Sequence, residues 1–259
     1  MSIADETNCF PLSLSQLNIL NLERALVGTS VNNISTTMRI RGRVDFNLLQ
    51  QSINRVLESD ASLRTQLIRV DGQMMQYHAP FLREEFPVYD FSNTSSEGVE
   101  SWENAVTREL IPLEAGPLYR FVLFRDSENS GGILVKLHHI ISDGWSQVML
   151  CNKIGKTYLE LLSGKEPSLE EAPDYQLHVQ EEQDYLSSRA FRRDEAYWKG
   201  IAEKIGEVIH VVLILFGMQG EHGIVQKLQR RLILKYVDEI TRNDVVFVIG
   251  ALDVRGGGG

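Results

Sequence analysis

The residues of this 259-residue chain that could do chemistry together fall in one short segment, Leu137-His138-His139-Ile140-Ile141-Ser142-Asp143-Gly144-Trp145-Ser146. The segment joins the end of a predicted strand to the start of a predicted helix. Consecutive strand residues point to opposite faces, so His138 and His139 cannot both turn toward one ligand if the strand persists through them. That geometry argues against a shared metal and for one imidazole buried in the body with the other presented at a surface or cleft, where a ring that titrates near neutrality can take, give or hold a proton. Asp143, four residues beyond His139, can orient the turn or pair with a cation, and Gly144 leaves room for another backbone or a ligand to approach. Adjacent histidines at a strand end also serve purely structural roles, and spacing alone does not separate the two uses.

Other chemistries find little support. His78, His178, His210 and His222 are scattered along the chain, and Cys9 and Cys151 are too few for a disulfide framework or a cysteine-built zinc site. No metal is expected. Neither a phosphate-cradling glycine loop with its lysine nor a dinucleotide glycine fingerprint occurs, so no bound nucleotide is implied. Twenty-six Lys and Arg against 35 Asp and Glu give a net charge of −9, which lacks the basic footprint that nucleic acid selects. The longest apolar run, Val208 to Phe216, is nine residues with His210 inside it, too short to cross a bilayer. The N-terminal Met-Ser-Ile-Ala-Asp-Glu has no basic stretch leading into an apolar one, and the expectation is a cytoplasmic protein without a membrane partner.

The surrounding elements follow from periodicity. Leu14, Leu17, Ile19, Leu20 and Leu22 read as a helix that Ser13 or Ser15 could cap, and Phe46, Leu49, Ile53, Val56 and Leu57 share one face of another. Strands are predicted at Thr36–Arg43, Phe86–Phe91, Leu118–Phe124 and Gly131–His139, the last two joined by a polar turn from Arg125 to Gly132. Leu63–Val70 and Gln73–His78 flank Asp71-Gly72, a strong hairpin signal. Helices are predicted at Val99–Leu110, Gly144–Leu162 and, as one long stretch, Tyr175–Lys204. Helices mixed with hairpin-connected strands make an α+β fold with helices packed on a mixed sheet. The texture changes after Gly206, and a boundary is placed there. Residues 1–205 form one lobe, 206–255 a shortened or rearranged segment, and 256–259 a glycine tail.

The segment His138-His139-Ile140-Ile141-Ser142-Asp143-Gly144 resembles the His-His-x-x-x-Asp-Gly signature of the condensation domains of nonribosomal peptide synthetases, which have a chloramphenicol acetyltransferase-like fold. Several further stretches fall in family order over about residues 10 to 200: Pro11–Gln16 with Leu20–Glu23, Ser62–Thr65, Phe86–Asp90, Gly116–Arg120, and Tyr185–Trp198 ending in Tyr197-Trp198. The resemblance implies amide formation between a carrier-bound acyl thioester and a carrier-bound aminoacyl amine. His139 would act as general base or by positioning the amine. His138 would support the fold, Asp143 would be structural through a salt bridge to an arginine, for which Arg64 is the candidate, and Gly144 would lie beside the thioester path. Acyl or peptidyl carrier proteins and neighbouring synthetase domains are the implied partners. Phosphopantetheine would arrive on the carriers, with no cofactor bound to the chain itself.

The chain departs from the family in extent. A complete condensation domain has two such lobes with the site in a tunnel between them, and only the first is recognisable here. Tyr236–Val246 vaguely resembles the opening of the second lobe but comes too soon after Trp198. Asp60 and Pro112 stand where many members have histidine and aspartate, both minor changes. His138 and His139 speak against heterocyclisation, whose domains lose both histidines. Gly220-Glu221-His222-Gly223 has the wrong order for the epimerisation element. The missing lobe keeps two other readings open, a noncatalytic carrier-binding or scaffold module and a stand-alone acyltransferase that assembles its cleft between subunits, so that enzymatic activity of this chain alone is uncertain.

Overall fold

The computed structural model describes residues 8–114, 116–170 and 172–205. The segments 206–255 and 256–259, and with them His210, His222 and the second-lobe resemblance, lie outside the described residues. Contacts divide the rest into two bodies, one of residues 8–11 with 28–174 and one of residues 12–27 with 175–205.

The larger body is built on a four-stranded sheet of β2 (Asn33–Arg41), β5 (Val88–Asp90), β6 (Tyr119–Ser127) and β7 (Ser130–His138), in the order β2-β7-β6-β5. β7 runs antiparallel to both β2 and β6, and β5 runs parallel to β6. Alternation gives the sheet two faces. Ile133, Val135 and Leu137 of β7 with Phe121 and Leu123 of β6 meet Leu49, Ile53, Val56 and Leu57 of α2 (Phe46–Ser59) and Leu150, Cys151 and Ile154 of α4 (Gly144–Leu162). Val122 and Leu134 face the other way, against Val106 and Trp102 of α3 (Ser96–Arg108). α2 forms because its apolar residues recur every three to four positions and Asp45 accepts hydrogen bonds from the Asn47 and Leu48 amides at its start. Leu49, Ile53, Val56 and Leu57 are each at most 1% exposed, worth about 1.5–3 kcal/mol apiece in removal from water. Gly132 is required by close approach, since a Cβ there would lie 2.0 Å from the Met38 carbonyl oxygen.

A second, three-stranded sheet of β1 (Phe10–Pro11), β4 (Gln73–His78) and β3 (Thr65–Val70) contains the predicted hairpin. Its two-residue turn places Asp71 at φ 48° and Gly72 at φ 80°, the left-handed pair that such a turn demands. β3 starts later than predicted because Ala61–Arg64 is a 3-10 turn started by Asp60, whose carboxylate accepts from the Ser62 amide. β5 is shorter than predicted: the Phe86 amide goes to the Gln50 side chain, and Pro87 has no N–H to give. The β6–β7 strands instead reach further into the predicted turn, with a bulge between Arg125 and Ser127, because polar hairpin tips can pair as well as apolar strands.

The smaller body holds α1 (Leu14–Ala25), α5 (Tyr175–Ser187) and α6 (Arg189–Ile205). Ser13 caps α1 and exchanges bonds with Gln16 in a capping box, and Glu182 of α5 accepts the Leu14 amide at 2.7 Å. The predicted single stretch from Tyr175 to Lys204 is two helices, broken at Ser188, whose hydroxyl accepts the Phe191 amide at 3.1 Å and so restarts the helix. No described helix is long and apolar enough to cross a membrane.

Candidate active site

The strand ends at His138, one residue short of the predicted end, so His139 lies in the turn that follows, and the two histidines differ in burial. His138 is the last residue of β7 and is 1% exposed. Its amide donates to the Leu118 carbonyl at 2.8 Å, and its Nδ1 accepts the Ile140 amide at 3.1 Å. A backbone N–H can only donate, so Nδ1 carries no proton and the neutral ring holds its proton on Nε2. Burial, followed by repulsion from the His139 ring when that ring is protonated, lowers the His138 pKa from 6.5 to about 4. The ring is therefore neutral near pH 7.

His139 follows the strand end and is partly exposed. Its backbone is held by a 2.7 Å bond from its amide to the carbonyl of Asn32, itself buried, and the next turn closes with the Ile141 amide on the His138 carbonyl at 3.1 Å. No hydrogen bond of the described residues uses the His139 ring. The main chain at His139 is thus fixed, while its ring is held by no hydrogen bond of the described residues.

Asp143 caps α4. Its carboxylate accepts the Ser146 amide at 2.7 Å, and its pKa lies below the usual carboxylate range, first because of that amide, then the Ser146 side chain, with the charge of His139 adding to the effect. The expected ion pair with Arg64 does not form in this structure. Arg64 donates Nε to the Ala79 carbonyl at 2.9 Å and Nη1 to the carbonyls of Glu58, at 2.9 Å, and Leu57, stitching the end of α2 to the end of β4. The cause is local: helix-terminal carbonyls lack intrahelical partners and a guanidinium has five donors to meet them. Gly144 opens α4 and is exposed, and a Cβ built on it meets nothing within 4 Å.

The junction brings His138, His139, Asp143 and Gly144 together, and Arg64 belongs to another network. Spacing missed two supporting residues. Gln147, 3% exposed, lies in the buried stripe of α4 with Leu150, Cys151 and Ile154, and its side-chain amide donates to the carbonyls of Ile34 and Val135, each at 3.2 Å. Lys136 is fully buried on the α3 face, where its ammonium donates to the carbonyls of Val106, at 2.7 Å, and Glu109 at the end of that helix. Burial, with the nearby Arg120 charge second, lowers its pKa to about 8. In both cases the available signal was one polar residue inside an otherwise apolar pattern.

The remaining titratable groups have other employment. The Cys151 thiol is pushed up to about 11 by burial, which removes it as a nucleophile near neutrality. His78 pairs its Nδ1 with the Thr65 hydroxyl at 3.1 Å, and its Nε2 lies 3.6 Å from Asp174. His178 stacks at a tilt on Tyr175. Among the described residues no three His, Cys, Asp or Glu side chains gather as a metal site.

Comparison with known proteins matches this arrangement to a family. The condensation domain model covers residues 6–213. Surfactin synthase subunit 1 of Bacillus subtilis (strain 168) is 30% identical over 210 residues, 79% of this chain and 6% of that protein. A linear gramicidin synthase of Brevibacillus parabrevis is 28% identical over 76% of this chain and 3% of its own length. Among solved structures, the starter condensation domain of rhizomide synthetase RzmA gives a TM-score of 0.71 at 21% identity, covering 77% of this chain and 49% of that one. The first condensation domain of the CDA synthetase gives 0.67 at 18%, covering 77% and 51%. The chain therefore spans about half the length of the solved condensation domains it matches and a small part of the synthases. With the signature histidines, the mixed sheet and the matched model in agreement, the chain belongs to the condensation domain family of the nonribosomal peptide synthetases.

Proposed function

We propose that this chain supplies the histidine-bearing half of a site that joins a carrier-bound acyl thioester to a carrier-bound aminoacyl amine. The observation that carries the reading is the asymmetry of the pair: His138 is sealed and neutral, while His139 has a fixed backbone and a ring not engaged by the described residues. In the reaction the amine nitrogen adds to the thioester carbonyl carbon, the C–S bond breaks, and the proton shed by nitrogen must reach the departing sulfur. A neutral imidazole at His139 can accept or hold that proton during attack and return it to the thiolate. The neutral His138 adds no positive charge beside it. Phosphopantetheine enters as part of both substrates, delivered by acyl or peptidyl carrier proteins.

The test is amide formation by the purified chain from two loaded carriers, read by mass spectrometry. His139→Ala is expected to lower the rate by about 10²–10⁴-fold with the fold intact. Absence of product with carriers active in another synthetase refutes catalysis by this chain. A second reading is a noncatalytic carrier-binding or scaffold module, compatible with the same backbone-fixed junction. It predicts carrier binding that His139→Ala leaves unchanged, with no product, and lack of binding at high carrier concentration rejects it.

A further inference from the structure

Gln147 sits one turn into α4, and its side-chain amide bridges two adjacent strands, donating to Ile34 of β2 and Val135 of β7 at 3.2 Å each. The register of the sheet makes this meaningful. Ile34 pairs with Leu137, two residues from His139, and the His139 amide bonds to Asn32, two residues before Ile34. Both acceptor carbonyls lie in a ladder that already uses one lone pair of each, and a carbonyl has a second to offer. The segment from His139 to Asp143 is consequently held on both sides. Strand pairing fixes its entry, and the Asp143 cap with the Gln147 bridge ties the helix that follows to the same two strands. An apolar residue of equal size would fill the stripe with Leu150, Cys151 and Ile154, so packing alone does not call for an amide here.

We infer that Gln147 is a positioning residue for His139, setting the ring's placement by anchoring the N-terminal turn of α4 to the β2–β7 ladder. The inference rests on the amide-forming reading of His139, and its test separates the two. Gln147→Met keeps the volume and deletes both donors. The expected result is a kcat for amide formation reduced about tenfold to a hundredfold with KM for both carriers within about twofold, since misplacement of a catalytic group by about 1 Å has consequences of that order. In the same variant the ring resonances of His139 shift in ¹H–¹⁵N spectra while those of His178 do not. Unchanged His139 resonances together with unchanged kcat overturn the inference. Where wild type makes no amide, the proposed function fails, and the His139 resonances of Gln147→Met still decide the positioning claim. If the variant does not fold, through-hydrogen-bond couplings from the Gln147 side-chain amide to the Ile34 and Val135 carbonyl carbons in wild type decide it, their absence being a rejection.

Discussion

The pH dependence of stability follows from the environment of His138. In the unfolded chain its imidazole takes a proton near 6.5, whereas in the fold, 1% exposed and with Nδ1 committed to the Ile140 amide, it does so only near 4. Between those values the unfolded state binds more protons than the native state, so stability falls as pH falls. The contribution is fully present above about 6.5 and is lost as pH drops through about 4. At about 1.4 kcal/mol per pH unit the gap amounts to about 3 kcal/mol, a large share of a typical domain's 5–15 kcal/mol. Urea unfolding of wild type and His138→Gln at several pH values from 7.5 to about 4 isolates it, because the glutamine amide oxygen can accept the Ile140 amide without titrating. Other groups, His78 and the carboxylates included, are common to both proteins and cancel in the difference. Wild type is expected to lose about 3 kcal/mol relative to the variant across that range. Parallel stability curves would refute the assignment of a buried neutral imidazole at this position.

Two further outcomes follow from the junction and its supports. In a double-mutant cycle, Arg64→Met should cost about 2–3 kcal/mol through its carbonyl bonds and Asp143→Asn, which still caps, less than about 0.5, with a coupling below about 0.5; a coupling above about 1.5 kcal/mol would restore the Arg64–Asp143 ion pair. Gly144→Ala should leave the melting temperature unchanged or slightly higher, because its Cβ meets nothing within 4 Å, and a drop of several degrees would contradict the open space seen there; on the proposed function, with Gly144 beside the thioester as the resemblance implies, it should also lower amide formation at least about tenfold, and undiminished turnover would remove that role.

Most of the larger body was legible because its signals are local. The Asp71-Gly72 turn, the periodic face of α2 and the full extent of Gly144–Leu162 needed only neighbours in sequence. The contrast between a buried His138 and a partly exposed His139 was also expected, although the strand stops at His138 and the turn, not alternation, carries His139. The misses came where side chains settle backbone demands that no sequence pattern states, whether near in the chain, as from Ser188 to Phe191, or far, as from Gln50 to Phe86. Arg64 reaches carbonyls at residues 57, 58 and 79, and no motif states that those carbonyls lack other partners. Gln50 takes the Phe86 amide and shortens β5. The break between α5 and α6 turns on one serine hydroxyl inside a stretch whose propensity is helical throughout.

Lys136 and Gln147 share a rule that would have exposed them. A lysine within Ile133-Leu134-Val135-Lys136-Leu137, or a glutamine on the stripe shared with Leu150 and Ile154, must either distort the pattern or find carbonyls to satisfy. Both find carbonyls, and on opposite faces of β7: Lys136 holds the end of α3 to one side, and Gln147 holds the start of α4 to the other. The strand that delivers the two histidines is therefore pinned from both faces immediately before it ends. The neutral ring of His138 completes the arrangement by accepting the Ile140 amide. The side chains of Lys136, His138, Asp143 and Gln147 are thereby spent on fixing backbone, while no hydrogen bond of the described residues uses the imidazole of His139, the group that the proposed function needs unengaged.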